Sequence, residues 1–191
     1  MSRVSESRPT RILIGGGVRS GKSAFALTLA RRLGRRRTFV ATARGLDEEM
    51  RRRIAQHQRD RGTDFTTIEE PLELPSLLEH VADVDVVVVD CVTLWLSNLL
   101  LRGDDEGVIL SHVDRLVDVL RAPRFHALLV TNEVGMGVHP EHALGRVFRD
   151  VAGRAHQRLA RGADEIYFAA LGVMLRLRPP PVAVEPFGED A

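Results

Sequence analysis

The chain of 191 residues has a single cysteine, Cys91, a single lysine, Lys22, and no long apolar run. One cysteine excludes an intrachain disulfide and is compatible with a reducing compartment. No uninterrupted apolar stretch approaches the roughly 18–20 residues that cross a bilayer, so no transmembrane helix is expected. Residues 1–10 are polar and lack the apolar centre of a secretion signal, which makes the cytoplasm the expected location. The net charge of +1 leaves no electrostatic footprint for nucleic acid or an anionic membrane. Arginine clusters at 35–37 and 51–53 are local and read as solvated helix faces.

Some signatures are absent too. With Lys22 the only lysine, no Asn-Lys-x-Asp guanine-reading motif exists, which argues against a Ras-like switch GTPase. No Gly-rich cover loop or His-Arg-Asp catalytic loop exists, so the chain is not a protein kinase. Histidines 80, 112, 126, 139, 142 and 156 show no metal-ligand spacing supported by cysteines or carboxylates. His139-Pro140-Glu141-His142 reads as solvent-exposed. Internal repeats and a second domain are missing. A hydrophobic content of 44% and a charged content of 28% suit one soluble globular domain with a full core.

What is present centres on Gly15-Gly16-Gly17-Val18-Arg19-Ser20-Gly21-Lys22-Ser23, directly after the apolar run Arg11 to Ile14. From Gly16 it fits G-x-x-x-x-G-K-[ST], the phosphate-cradling loop of P-loop nucleotide-binding proteins. Glycine lets the backbone reach positive φ and approach an anion closely. The concave row of N–H groups, from Gly16, Gly17, Val18, Arg19, Ser20 and Gly21 to the helix N-terminus, then holds phosphate oxygens. Lys22 reaches the outer phosphates and the Ser23 hydroxyl is placed to ligate Mg²⁺. A chain that uses arginine everywhere else keeps its one ammonium where this motif requires it. Arg19 contacts phosphate, stacks on a ring, or faces solvent.

Periodicity sets out the remaining elements. A strand over 11–14 leads to a helix over 22–33, ended by Gly34. A second strand covers 38–42. A charged helix over 47–61 carries Met50, Ile54 and His57 on its one apolar stripe. A weak strand over 65–68 and a helix over 72–82 precede the strand 85–90, whose unbroken valine run implies burial on both faces. Helices over 93–101 and 108–121, a strand over 127–131, a helix over 141–161 and a hairpin of strands 165–169 and 173–177 around Gly172 complete the pattern. Pro179-Pro180-Pro181 is expected to stop the last strand, leaving a mobile acidic tail. The expected organisation is a lead-in over 1–10, one nucleotide-binding catalytic domain over 11–178, and a Pro-rich, acidic tail over 179–191.

Alternating strands and helices predict a mainly parallel sheet with helices on both faces and a ligand crevice at the carboxyl ends of the strands. Asp90, at such an end, fits a carboxylate that holds Mg²⁺ directly or through water, or a plain strand-end cap. Thr42 and Glu133 border the same crevice; Glu133 orients a nucleophile, ligates metal, or anchors a loop. His57 is either a satisfied core histidine or a nucleophile or general base aimed at the nucleotide.

Several blocks in order carry a resemblance: Gly16 to Ser23, Asp47-Glu48-Glu49-Met50, Arg53-Ile54 followed by His57, Asp90-Cys91-Val92-Thr93, Thr131-Asn132-Glu133-Val134-Gly135-Met136-Gly137, and Phe148 to Arg154 with Gln157-Arg158-Leu159-Ala160 and Ala163-Asp164-Glu165 behind it. Over residues 11–178 the chain resembles the bifunctional adenosylcobinamide kinase/adenosylcobinamide-phosphate guanylyltransferases of cobalamin biosynthesis. The resemblance implies a P-loop NTPase (RecA-like) three-layer α/β fold. It also implies two reactions: phosphorylation of the aminopropanol hydroxyl of adenosylcobinamide by ATP or GTP, then transfer of GMP from GTP through a guanylyl-histidine. The family's histidine falls on His57, preceded here by Gln56 where some relatives carry a second histidine. Ala41, Thr42, Ala43, Glu69 and Asp90 are implied nucleotide contacts, with Lys22 and Mg²⁺ offsetting phosphate charge. A homotrimer is implied as well. The two reactions attack different phosphorus atoms, so the helix bearing His57 is expected to move between Gly45 and Gly62. A monofunctional small-molecule kinase, or a non-enzymatic NTP-dependent switch module, are the competing readings.

Overall fold

The computed structural model describes residues 8–44, 48, 52, 59, 62–122 and 124–185. Its elements are β1 (Arg11–Gly16), α1 (Lys22–Leu33), β2 (Arg37–Ala41), β3 (Thr66–Glu69), α2 (Leu74–His80), β4 (Val86–Asp90), α3 (Val92–Arg102), α4 (Glu106–Val119), β5 (His126–Val130), α5 (Ala143–Gly162), β6 (Glu165–Ala170), β7 (Val173–Arg178) and β8 (Ala183–Glu185). The expected helix over 47–61 falls mostly outside the described residues. Its described positions Glu48, Arg52 and Arg59 are helical.

One eight-stranded sheet runs in the order β3-β2-β4-β5-β1-β6-β7-β8. Strands β3 to β6 in that row are parallel, and β7 and β8 are antiparallel additions. The valine run of β4 shows how the layers arise. Successive side chains of a strand point to opposite faces, so Val86 and Val88 join the cluster under α1, with Phe25, Ala26 and Ala30. Val87 and Val89 join the other cluster, with Leu74, Trp95, Ile109 and Ala155 from α2, α3, α4 and α5. All four valines are buried, each contributing on the order of 1.5–3 kcal/mol. The expected three-layer α/β fold with helices on both faces is the one observed.

A strand apolar on both faces does not fix its own register; its polar ends do. Asp85, just before β4, accepts the backbone N–H groups of Arg35 and Arg36 at 2.9 Å. The Arg36 guanidinium adds bonds of 3.0 and 2.8 Å to the other carboxylate oxygen. These bonds set Arg37 opposite Val86 and therefore Ala41 opposite Asp90.

One strand was not expected. Pro179-Pro180-Pro181 does end β7, since proline offers no N–H to the ladder. The donors resume after Pro181, and the chain folds back so that β8 pairs with β7, Leu175 opposite Val184. Residues 183–185, expected to belong to the tail, instead form this strand.

Candidate functional site

The register aligns the chemistry at the carboxyl ends. Ala41 stands opposite Glu69 on one side and Asp90 on the other, Asp90 opposite Val130, and Val130 opposite Ile14. Two residues beyond Ile14 the chain leaves the sheet as the glycine loop. Gly16 takes φ 150°, and a Cβ there would sit 2.7 Å from the Ala169 carbonyl oxygen and 2.9 Å from Ser20 Oγ. Gly21, the N-cap of α1, is left-handed at φ 89° with no side-chain cap and no acidic residue in the first turn. The amides of that turn are thus kept for an outside anion.

Lys22 is the first residue of α1 and is 7% exposed. Its Nζ donates to the Gly17 carbonyl at 2.9 Å, folding the side chain back across its own loop. Burial lowers the lysine pKa, and the charge of Asp90 opposes that shift. Asp90 therefore acts electrostatically on the P-loop lysine from two strands away. Ser20 Oγ is buried without a hydrogen-bond partner among the described residues, as suits a hydroxyl reserved for a phosphate oxygen. Val18 and Arg19 lie exposed on the outer rim of the loop, Arg19 at φ 55°.

Ser23 and Asp90 are hard oxygen donors. Among the described residues no group of three or more His, Cys, Asp or Glu forms a metal cluster. That donor set fits Mg²⁺, which takes one or two protein oxygens and draws its other ligands from phosphates and water.

Thr42 has a different job from a side-chain nucleotide contact. It is fully buried; its hydroxyl donates to the Cys91 carbonyl at 2.8 Å and accepts the Cys91 N–H at 2.9 Å. Asn98 Nδ2 binds the Thr42 carbonyl at 2.8 Å. These bonds clasp the ends of β2 and β4 together and hold the crevice floor. Cys91 lies in that floor with its Sγ 3.2 Å from Thr93 Oγ1, and burial, followed by the nearby Asp90 charge, pushes its thiol up to about 11. Ala43 continues half-buried beyond Thr42, and Glu69 is exposed at the end of β3.

Glu133 reaches the site through the backbone. Its N–H donates to the Gly16 carbonyl at 3.0 Å, and its Oε1 accepts the Gly135 N–H at 2.6 Å. Next to it stands a residue that spacing did not single out. His156 of α5 places Nε2 at 2.7 Å from Thr131 Oγ1 and Nδ1 at 3.8 Å from Glu133 Oε2. Burial lowers the His156 pKa and the Glu133 charge opposes the shift. Thr131 lies 25 positions away and Glu133 is nearly as distant, so no local signal in the sequence connects them. His57, the expected nucleophile, lies outside the described residues.

A glycine loop feeding a helix, with a buried lysine at the helix start and an acidic strand end two strands away across β5, defines a P-loop nucleoside-triphosphate-binding protein. The RadB recombinase structure shares this fold, with a TM-score of 0.54 at 16% identity, covering 92% of this chain and 86% of that one. The chain matches the family described as cobinamide kinase / cobinamide phosphate guanyltransferase over residues 12–177 and belongs to it. It is similar to the bifunctional adenosylcobalamin biosynthesis protein CobP of Pseudomonas aeruginosa, 40% identical over 90% of this chain and 99% of that protein. The protein CobU of Escherichia coli is 36% identical over 87% of this chain and 99% of its own length.

Proposed function

We propose that this protein phosphorylates the aminopropanol hydroxyl of adenosylcobinamide with ATP or GTP, then moves GMP from GTP onto the new phosphate, giving adenosylcobinamide-GDP. The observation that carries the reading is membership of a cobinamide kinase / cobinamide phosphate guanyltransferase family over 12–177, joined to an intact phosphate cradle with its lysine folded into place.

In the second reaction a neutral nitrogen of His57 attacks the α-phosphorus of GTP. The bond to pyrophosphate breaks and pyrophosphate departs with its electron pair. A phosphate oxygen of the corrinoid substrate then attacks the same phosphorus, and the imidazole leaves. Lys22 and the amides of the loop stabilise negative charge on the transferring and departing phosphates. Ser23 and Asp90 would hold Mg²⁺ together with the triphosphate, where it would supply further charge neutralisation. Ala41, Ala43 and Glu69 border the nucleotide, and Thr42 shapes its floor. The working enzyme is a cytoplasmic homotrimer in this reading, with no nucleic-acid or membrane partner.

The test is covalent labelling. Incubation with α-labelled GTP, followed by denaturation, is expected to leave acid-labile, hydroxylamine-sensitive label on the wild-type chain and none on His57→Ala. Label that survives the substitution overturns the histidine route. Phosphorylation of adenosylcobinamide without any label supports a plain kinase, and the absence of both activities supports a switch module.

A further inference from the structure

Thr131 and Glu133 are two apart in the extended segment leaving β5, so their side chains share a face. A single imidazole serves both. His156 sits on α5 just after Ala155, which is fully buried in the core, and its side chain is 13% exposed against 29% for Glu133. The charged neighbours along α5 turn towards α4 instead: Arg154 pairs with Glu106 and Arg158 with Asp114. Among the described residues, Glu133 is the charge that acts on the His156 ring.

Three contacts therefore fix Glu133: its backbone N–H on the Gly16 carbonyl and, at the carboxylate, Oε1 accepting the Gly135 N–H and Oε2 facing His156 Nδ1. A surface glutamate anchoring a loop needs only the second of these. What the first and third add is a fixed aim beside the P-loop entry.

We infer that Glu133 accepts the proton of the acceptor hydroxyl in the phosphorylation step and that His156 is the positioning residue that holds it there. This rests on the two-step reading above. In that step the hydroxyl oxygen bonds to the γ-phosphorus, the bond to the bridging β,γ-oxygen breaks with its electron pair leaving on the nucleoside diphosphate, and the hydroxyl proton passes to Glu133. The second step needs no such base, because its acceptor is a phosphate, whose second pKa is about 6, and the attacking oxygen carries no proton. The two reactions of one protein thus make different demands on the same carboxylate.

The experiment measures both steps separately on the full chain: phosphorylation of adenosylcobinamide with ATP, and GMP transfer from GTP to supplied adenosylcobinamide phosphate. Glu133→Gln is expected to lower kcat of the first step about 100-fold and the second by no more than a few-fold, which also reports that the variant is folded and binds nucleotide. Two isosteric changes separate the contacts of His156. In His156→Gln the amide nitrogen stands in for Nε2 and keeps Thr131 but leaves Glu133 unattended. In His156→Asn it stands in for Nδ1 and keeps Glu133. The first is expected to lose about tenfold in kcat of phosphorylation at unchanged KM, and the second to recover most of that loss. Equal losses in both steps, or no loss in the first, overturn the Glu133 assignment. Asn and Gln behaving alike overturns the role of His156. Wild-type protein without the phosphorylation step overturns the functional reading itself, and this assignment with it.

Discussion

The two edges of the parallel sheet are built from different chemistry. At the amino-terminal edge the prominent polar groups among the described residues bond their neighbours. Asp85 takes two backbone N–H groups and a guanidinium. Arg11 and Asp164 pair through 3.0 and 2.7 Å bonds. Thr10 binds His126 through its hydroxyl at 2.8 Å and its amide at 3.2 Å. At the carboxyl-terminal edge neutral groups, Thr42, Cys91, Thr93, Asn98 and Thr131, carry the structural bonds. Charged groups there keep an open side: Lys22 is held by a carbonyl rather than a carboxylate, and Glu133 retains exposed surface. Charge that is neutralised internally stabilises, and charge left incompletely neutralised binds. The same fold separates the two along the strand direction.

That contrast can be broken from either side, and the largest effect belongs to the carboxyl edge. Lys22→Met is expected to lower nucleotide-dependent transfer by at least about 100-fold in single-turnover assays. The thermal midpoint should not fall, because burial disfavours this ammonium in the folded state and methionine removes that cost. A clear loss of thermal stability would mean that Lys22 is structural.

Gly34→Ala attacks the amino edge. The new Cβ would lie 2.4 Å from Asp85 Cβ and 3.0 Å from Val86 Cγ2, and φ of −171° makes this a steric problem alone. A destabilisation of about 1–3 kcal/mol is expected in urea unfolding, with turnover per folded molecule retained. Lost turnover at full stability would erase the distinction between the edges.

The smallest effect is Asp85→Asn, expected to lower the midpoint by about 2–4 °C at neutral pH, a modest change because the site is partly solvated. The backbone and guanidinium bonds of Arg36, then the Arg35 N–H, hold the Asp85 carboxyl at about 2, below its ordinary 3.8. Its contribution is complete above the ordinary value and disappears as pH falls from there towards 2. Thermal scans across that window should show the wild-type advantage shrinking with acid; an advantage that grows would refute the assignment.

Much of this arrangement was legible in the sequence. The P-loop is a local motif, so its strand, turn and helix were placed almost to the residue. The expected strands 85–90 and 127–131 correspond to Val86–Asp90 and His126–Val130, since continuous β-branched and apolar runs bounded by polar residues leave few alternatives. Position in the strand pattern puts Thr42 at the crevice but cannot give its clasp on Cys91, because that bond crosses 49 positions. Strand β8 is not legible, because a triple proline signals an end and says nothing about what resumes after it.

Alone, the sequence determined the phosphate cradle, the alternation that makes a parallel sheet, and the family. Each is encoded in short-range spacing or ordered blocks, and short-range spacing constrains the backbone directly. Tertiary structure alone decided that Glu69, Ala41 and Asp90 share one row, that Thr42 is structural, and that His156 faces Glu133. Those relations depend on strand order and register, which are settled when both faces of the sheet are buried at once and the polar ends find their partners.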